Sequence, residues 1–88
     1  MQAHLFITGY VQGVGYRYFA RNNARRLGLT GWTRNTNDNR VEAVFQGSQE
    51  VIEEMIALCR KGPFLAEVKD IEVVWEDGEE EFGEFVVR

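Results

Sequence analysis

The chain has 88 residues and a formal net charge of −4, with 44% hydrophobic and 12% aromatic residues. This size and composition predict a single folded domain over residues 1–88 and exclude a disordered chain. One cysteine and one histidine exclude an internal disulfide, a cysteine-based zinc site and a histidine-cluster metal site.

Charge is distributed unevenly along the chain. Residues 1–44 carry six arginines against two acids, a balance of +4, whereas residues 45–88 carry four cations against twelve acids, a balance of −8. The basic half can attract an anion, while the acidic overall balance argues against a nucleic-acid partner. The start lacks a signal-peptide pattern and no later run is long enough to span a bilayer, so we expect a cytoplasmic protein without a membrane partner.

The first third of the chain predicts a strand, a loop and a helix. Alternation and β-forming residues predict the first strand over Gln2–Tyr10. The glycine loop, residues 11–15, follows, and a helix then runs from Tyr16 to about Leu27 and ends at Gly28. We expect the apolar helix face to carry Tyr16, Ala20, Ala24 and Leu27, and the solvated surface Arg21, Arg25 and Arg26.

The middle of the chain predicts a β-hairpin and a second helix. Strands are expected over Thr30–Asn35 and Val41–Gln46, joined by a turn over residues 36–39 that tolerates left-handed backbone angles. Ser48 can cap the second helix, whose last residues precede Gly62. Cys59 on this helix is expected to be a small buried hydrophobe rather than a nucleophile.

The last third predicts a fourth strand over Val68–Trp75, a solvated acidic loop over residues 76–81 and a short strand over Glu84–Arg88. The element order is β-α-β-β-α-β with an extra terminal strand. It predicts an α+β, ferredoxin-like split βαβ sandwich, with a mostly antiparallel sheet and two helices on one face. The expected core aromatics are Trp32, Phe45, Trp75 and Phe85.

The stretch Gly9–Arg17 is a candidate anion site. Its three glycines let successive main-chain N–H groups turn toward one point, and the following helix adds unpaired amides and the positive end of its dipole. Arg17 in the first helical turn is unfavourable by a few tenths of a kcal/mol unless an anion binds beside it. The alternative is a glycine-rich strand–helix turn with a solvated arginine.

Asn35 also has two interpretations. It can be an asparagine that ends a strand before a turn. It can also orient a water molecule, since its amide accepts through oxygen and donates through nitrogen without needing an ionised state.

Two separated stretches resemble the signatures of the acylphosphatase family. Residues 9–17 (Gly-x-Val-Gln-Gly-Val-x-Tyr-Arg) resemble the first, and residues 31–35 (Gly-Trp-Thr-Arg-Asn), followed by Val41 and Gly47, resemble the second. Two departures occur: Asn39 stands where glycine is usual, and Thr33 where a smaller or more apolar residue is commoner. We expect Asn39 to preserve the turn and Thr33 to affect the rate but not the activity.

The resemblance implies metal-independent, cofactor-free hydrolysis of acyl phosphates to carboxylate and inorganic phosphate. It implies that Arg17 and Asn35 are catalytic, Arg17 binding phosphate oxygens and Asn35 orienting the attacking water. It also implies that main-chain amides hold the phosphate group in a substrate site made of Gln12, Gly13, Val14, Gly15, Tyr16 and Arg17. Arg34 is expected on the other sheet face, outside the site.

Partners and alternatives follow from this resemblance. The expected partners are a small acyl phosphate and inorganic phosphate, the latter as product and competitive inhibitor, and the protein is expected to be a monomer. One alternative is a non-catalytic ferredoxin-like module that binds a phosphate or carboxylate ligand. Another is an acylphosphatase-like portion of a larger maturation protein.

Overall fold

A computed structural model describes residues 1–78 and 80–88. The elements are β1 (Gln2–Tyr10), α1 (Tyr16–Arg26), β2 (Thr30–Asn35), β3 (Val41–Gln46), α2 (Gln49–Lys61), β4 (Glu67–Glu76) and β5 (Phe85–Val87). The five strands form one sheet in the order β4-β1-β3-β2-β5, in which only the β2–β5 pair is parallel. The ferredoxin-like α+β prediction is confirmed. Within the described ranges, no helix is long and apolar enough to cross a membrane.

The core lies between the sheet and the two helices. Alternate residues of β1 and β3 are fully buried on this side, because successive strand residues point to opposite faces. From α1 the core receives Tyr16 and two alanines, and from α2 it receives larger aliphatic residues. The central members are Ala3, Leu5, Ile7, Ala20, Ala24, Val41, Ala43, Phe45, Ile52 and Met55.

The opposite, open face of the sheet carries an ion-pair network. Glu42 of β3 accepts hydrogen bonds from Arg34 Nε at 2.7 Å and from His4 Nε2 at 2.5 Å. Burial raises the pKa of the Glu42 carboxyl, but these two hydrogen bonds outweigh burial and leave its pKa below the ordinary value. The network joins β1, β2 and β3 and holds Arg34 on this face, as predicted.

The predicted elements agree with the structure to within one residue at each end. α1 ends at Arg26, β4 extends over Glu67–Glu76, and β5 is limited to Phe85–Val87. The hairpin turn places Asn39 at φ 68°, the left-handed conformation expected where glycine is usual.

The aromatic core differs from the prediction. Phe45 and Phe85 are fully buried and stack with ring centroids 5.2 Å apart, as predicted. The prediction is wrong for Trp75, which is 40% exposed because it lies near the end of the edge strand β4. Trp32 lies outside the core as well, since the alternation in β2 turns it to the open face, where Arg88 sits 4.7 Å from its ring centroid.

Three smaller predictions concern side-chain environments. Cys59 is fully buried, as predicted, and burial raises the pKa of its thiol to about 12. The thiol therefore stays protonated and is not a nucleophile. Glu76, Asp77, Glu80 and Glu81 of the acidic loop are exposed, while Glu79 lies outside the described residues. Arg25 is exposed but is not simply solvated, because its Nε donates to the main-chain oxygen of Phe85 at 3.0 Å and so holds β5.

Candidate active site

The glycine loop presents unpaired main-chain donors. Gly13 and Gly15 adopt φ angles of 75° and 80°, left-handed values that let the chain turn sharply from β1 into α1. The first hydrogen bond at the start of α1 runs from the Phe19 N–H to the Gly15 oxygen at 3.0 Å. Within residues 1–78 and 80–88, the N–H groups of residues 13–17 have no acceptor, so they are available to an anion.

These donors border a cavity of about 180 Å³. It is lined by Val11, Gly13, Gly15, Tyr16, Arg17, Tyr18 and Asn35. The structure therefore brings together the two predicted catalytic residues, Arg17 and Asn35, although they come from α1 and β2. Of the other predicted site residues, Gly13, Gly15 and Tyr16 line the cavity, whereas Gln12 and Val14 do not.

Arg17 supplies the positive charge of this cavity. Its Nη1 donates to the main-chain oxygen of Arg88 at 3.1 Å, which orients the guanidinium group. No Asp or Glu side chain in the described part of the chain forms an ion pair with it. A guanidinium group without an acidic side chain next to it, beside unpaired amides, favours an anion whose oxygens match its planar fork.

Asn35 carries an unusual polar atom. Its Oδ1 is buried and has no hydrogen-bond partner, a feature that no other side-chain nitrogen or oxygen shares among the residues described. An unpaired buried acceptor costs about 1–3 kcal/mol, and such groups in folded proteins call for an explanation in terms of function or a missing partner. Because Asn35 also lines the cavity, a half-turn of its amide would bring this oxygen to the cavity, where a ligand or water could pair with it.

Gln12 has a structural contact that the sequence did not reveal. Its Nε2 donates to the main-chain oxygens of Thr36 and Arg40, at 2.9 and 2.8 Å. Its side chain therefore fastens the glycine loop to the β2–β3 turn, directly after Asn35. The amide of Gln12 thus ties the glycine loop to the segment that follows Asn35.

Two further buried residues stabilise the elements around the cavity through side-chain hydrogen bonds. The Tyr16 hydroxyl is buried and donates to the main-chain oxygen of Cys59 in α2 at 2.7 Å, and burial raises its pKa, so it remains a neutral donor. Thr33, two residues before Asn35 on the same side of β2, is also buried. Its Oγ1 donates to the Glu42 main-chain oxygen at 3.1 Å, so this departure from the family pattern leaves no unpaired hydroxyl.

We predict that Gln12→Met lowers both stability and turnover. The substitution keeps the side-chain length but removes two hydrogen bonds, so the free energy of unfolding should fall by about 1–2 kcal/mol. The loosened loop should lower kcat by about tenfold, because sub-ångström misplacement weakens transition-state contacts. Urea denaturation and steady-state kinetics measure the two effects.

The matched control is Gln49→Met at the exposed start of α2, where among the described residues the Gln49 side chain bonds only to Glu53. We expect it to change neither quantity appreciably. An unchanged kcat in Gln12→Met would contradict the positioning role.

Comparison with known proteins identifies the family. A family model described as Acylphosphatase matches residues 3–87. The chain belongs to the acylphosphatase family. It is 51% identical over 79 residues to the acylphosphatase of Trichormus variabilis, which covers 90% of this chain and 78% of that protein. It is 42% identical over 87 residues to the acylphosphatase of Chloroflexus aurantiacus, covering 99% and 95% of the two chains.

Solved acylphosphatase structures share the fold. The crystal structure of acylphosphatase from Bacillus subtilis superposes with a TM-score of 0.96 at 31% identity, covering 99% of this chain and 97% of that one. The chain is therefore an enzyme of the acylphosphatase family, with acyl phosphate hydrolysis as its general activity. A non-catalytic binding module is not favoured by these findings.

Proposed function

We propose that the enzyme binds the phosphoryl group of an acyl phosphate in the cavity beside the glycine loop and directs water at phosphorus. Main-chain N–H groups of residues 12–17 and the Arg17 fork hold the phosphate oxygens. Asn35 aims the attacking water. The observation that carries the proposal is the convergence of unpaired amides, the Arg17 guanidinium group and the Asn35 carboxamide on one cavity.

The chemistry matches these donors. An acyl phosphate is a mixed carboxylic–phosphoric anhydride, so its leaving group is a carboxylate, which is a weak base and needs no protonation by a general acid. Water forms the new P–O bond as the bond from phosphorus to the acyl oxygen breaks, and the products are carboxylate and inorganic phosphate. Negative charge on the equatorial oxygens during this transfer is stabilised by fixed donors.

Asn35 fits the task of aiming water. A carboxamide does not ionise, so it stays neutral beside a phosphate dianion. It therefore does not repel the anion as a carboxylate would. Rotation of the terminal amide by half a turn exchanges its nitrogen and oxygen without changing the outline of the side chain. The oxygen can thereby face the cavity and accept a hydrogen bond from the water.

We propose that no metal ion takes part. Among the residues that the structure describes, the cavity lining contains no carboxylate, imidazole or thiol group that could bind one. The positive charge that a metal would bring to the phosphate is supplied by Arg17 and the start of α1. We further propose that the enzyme acts as a monomer, since the cavity is formed by elements of one chain.

A steady-state assay tests the proposal. The purified enzyme should release phosphate from acetyl phosphate, with the same kcat/KM before and after treatment with an excess of EDTA. Inorganic phosphate should inhibit competitively, because it occupies the same site as the phosphoryl group. Phosphate binding without turnover, or loss of turnover with EDTA and recovery with a divalent metal, would contradict the proposal.

A further inference from the structure

The cavity is small for a ligand pocket. Ligand pockets that enclose a small molecule usually measure about 300–1,000 Å³, whereas this cavity measures about 180 Å³. If the phosphoryl group occupies it, as proposed above, an acyl group as bulky as benzoyl extends toward the rim. The residue at the rim then decides which acyl groups are favoured.

One residue of the cavity lining has the size and the exposure expected at such a rim. Val11 and Tyr16 are fully buried, Gly13 and Gly15 lack side chains, and the remaining polar members are already assigned to phosphate and water. Tyr18 differs from all of them, because its large side chain is 52% exposed while the residue still lines the cavity.

The position of Tyr18 in α1 directs it toward the opening. It is the third residue of the helix, and the Cα–Cβ bond of a helical residue tilts toward the helix N-terminus. That end of α1 is where the glycine loop and the unpaired amides lie. This tilt directs the Tyr18 side chain toward the end of α1 that borders the cavity.

A neighbouring arginine restrains the ring. The guanidinium carbon of Arg21 lies 5.0 Å from the Tyr18 ring centroid, a cation–π contact on one face. Arg21 is itself held by Asn22, whose Oδ1 accepts from its Nε and Nη2 at 3.2 Å each. Among the described residues no other ring or cation stacks on Tyr18, so its other face is available to a ligand.

We propose that Tyr18 is a specificity-determining residue that contacts the acyl group of the substrate. It favours acyl phosphates whose acyl group is aromatic or extended and apolar, since such groups bury surface against a ring while acetyl does not reach it. The inference rests on the proposed function, because it presupposes that the phosphoryl group occupies the cavity. The inference adds which class of acyl group the enzyme prefers in its substrate, a preference that the glycine loop alone does not determine.

The test compares benzoyl phosphate with acetyl phosphate. In Tyr18→Ala, the ratio of kcat/KM for benzoyl phosphate to kcat/KM for acetyl phosphate should fall roughly 3- to 10-fold, the value of one aromatic contact. Tyr18→Phe keeps the ring and should keep the wild-type ratio within about twofold. The inhibition constant of inorganic phosphate should stay within about twofold in both variants, because the main-chain donors and Arg17 are unchanged.

A remote aromatic provides the control. Trp75 is partly exposed and pairs with Ala3, at the end of β1 opposite the glycine loop, so Trp75→Ala should leave the ratio unchanged. An unchanged ratio in Tyr18→Ala would overturn the inference while leaving the proposed function intact. If the wild-type enzyme released phosphate from neither substrate, the role of Tyr18 and the proposed function would both be overturned. The wild-type assay shows this outcome before any variant is made.

Discussion

Arg17→Ala is expected to lower kcat/KM for acetyl phosphate by about 10³-fold or more. An arginine that stabilises a transferring phosphoryl group contributes on that scale, and among the described residues no second cation lines the cavity. The inhibition by inorganic phosphate should weaken strongly as well, because the proposed role has Arg17 binding ground-state phosphate and transition state alike. Phosphate-release kinetics and product inhibition measure both effects.

The free energy of unfolding distinguishes a loss of catalysis in Arg17→Ala from a loss of the fold. The Arg17 side chain makes one hydrogen bond, to the Arg88 main-chain oxygen, so the free energy of unfolding should change by about 1 kcal/mol or less. Arg26→Ala is the matched control, since it removes an exposed arginine from the far end of the same helix. Near-normal turnover in Arg17→Ala would contradict the assignment, as would an equal loss in Arg26→Ala.

Asn35→Ala is expected to lower kcat by about 10²- to 10³-fold, the scale of one lost polar contact in a transition state. The inhibition constant of inorganic phosphate should change much less, because phosphate does not depend on the water that Asn35 orients. The substitution also removes an unpaired buried oxygen, so the melting temperature should stay level or rise. Kinetics and thermal unfolding of the same preparation measure these quantities.

A charge variant sharpens the assignment of Asn35. Asn35→Asp keeps the shape but adds a negative charge beside the anion, so it should weaken phosphate inhibition, which Asn35→Ala should largely preserve. Asn37→Ala, an exposed asparagine in the adjacent turn, is the control and should retain wild-type kinetics. If Asn35→Ala lost stability and kept its kcat, Asn35 would be a structural residue.

The sequence was sufficient for the order of the elements because each element has a clear local pattern. The alternation in Gln2–Tyr10 and the helical spacing of Tyr16, Ala20 and Ala24 are both reproduced in the buried residues. The same holds for the two turns of special backbone geometry, where Gly13, Gly15 and Asn39 have left-handed angles. These features depend on near neighbours in the chain.

Contacts between distant segments were not predictable in the same way. Gln12 donates to carbonyl groups 24 and 28 residues away, and its local sequence contains no signal for that contact. Trp75 was expected in the core because of its hydrophobicity, but its place near the end of an edge strand decides its exposure. The ion-pair network around Glu42 likewise depends on the register of three strands.

Tyr16 links the site to the rest of the molecule in a way that affects how the enzyme responds to heat. Its main chain forms part of the cavity wall, while its hydroxyl group is bonded to the last turns of α2 across the core. The proposed phosphate site is therefore joined to the hydrophobic interior by a buried hydrogen bond, which couples the stability of the two regions. Catalysis in this enzyme should consequently persist on warming until the whole domain unfolds, without an earlier phase of local inactivation.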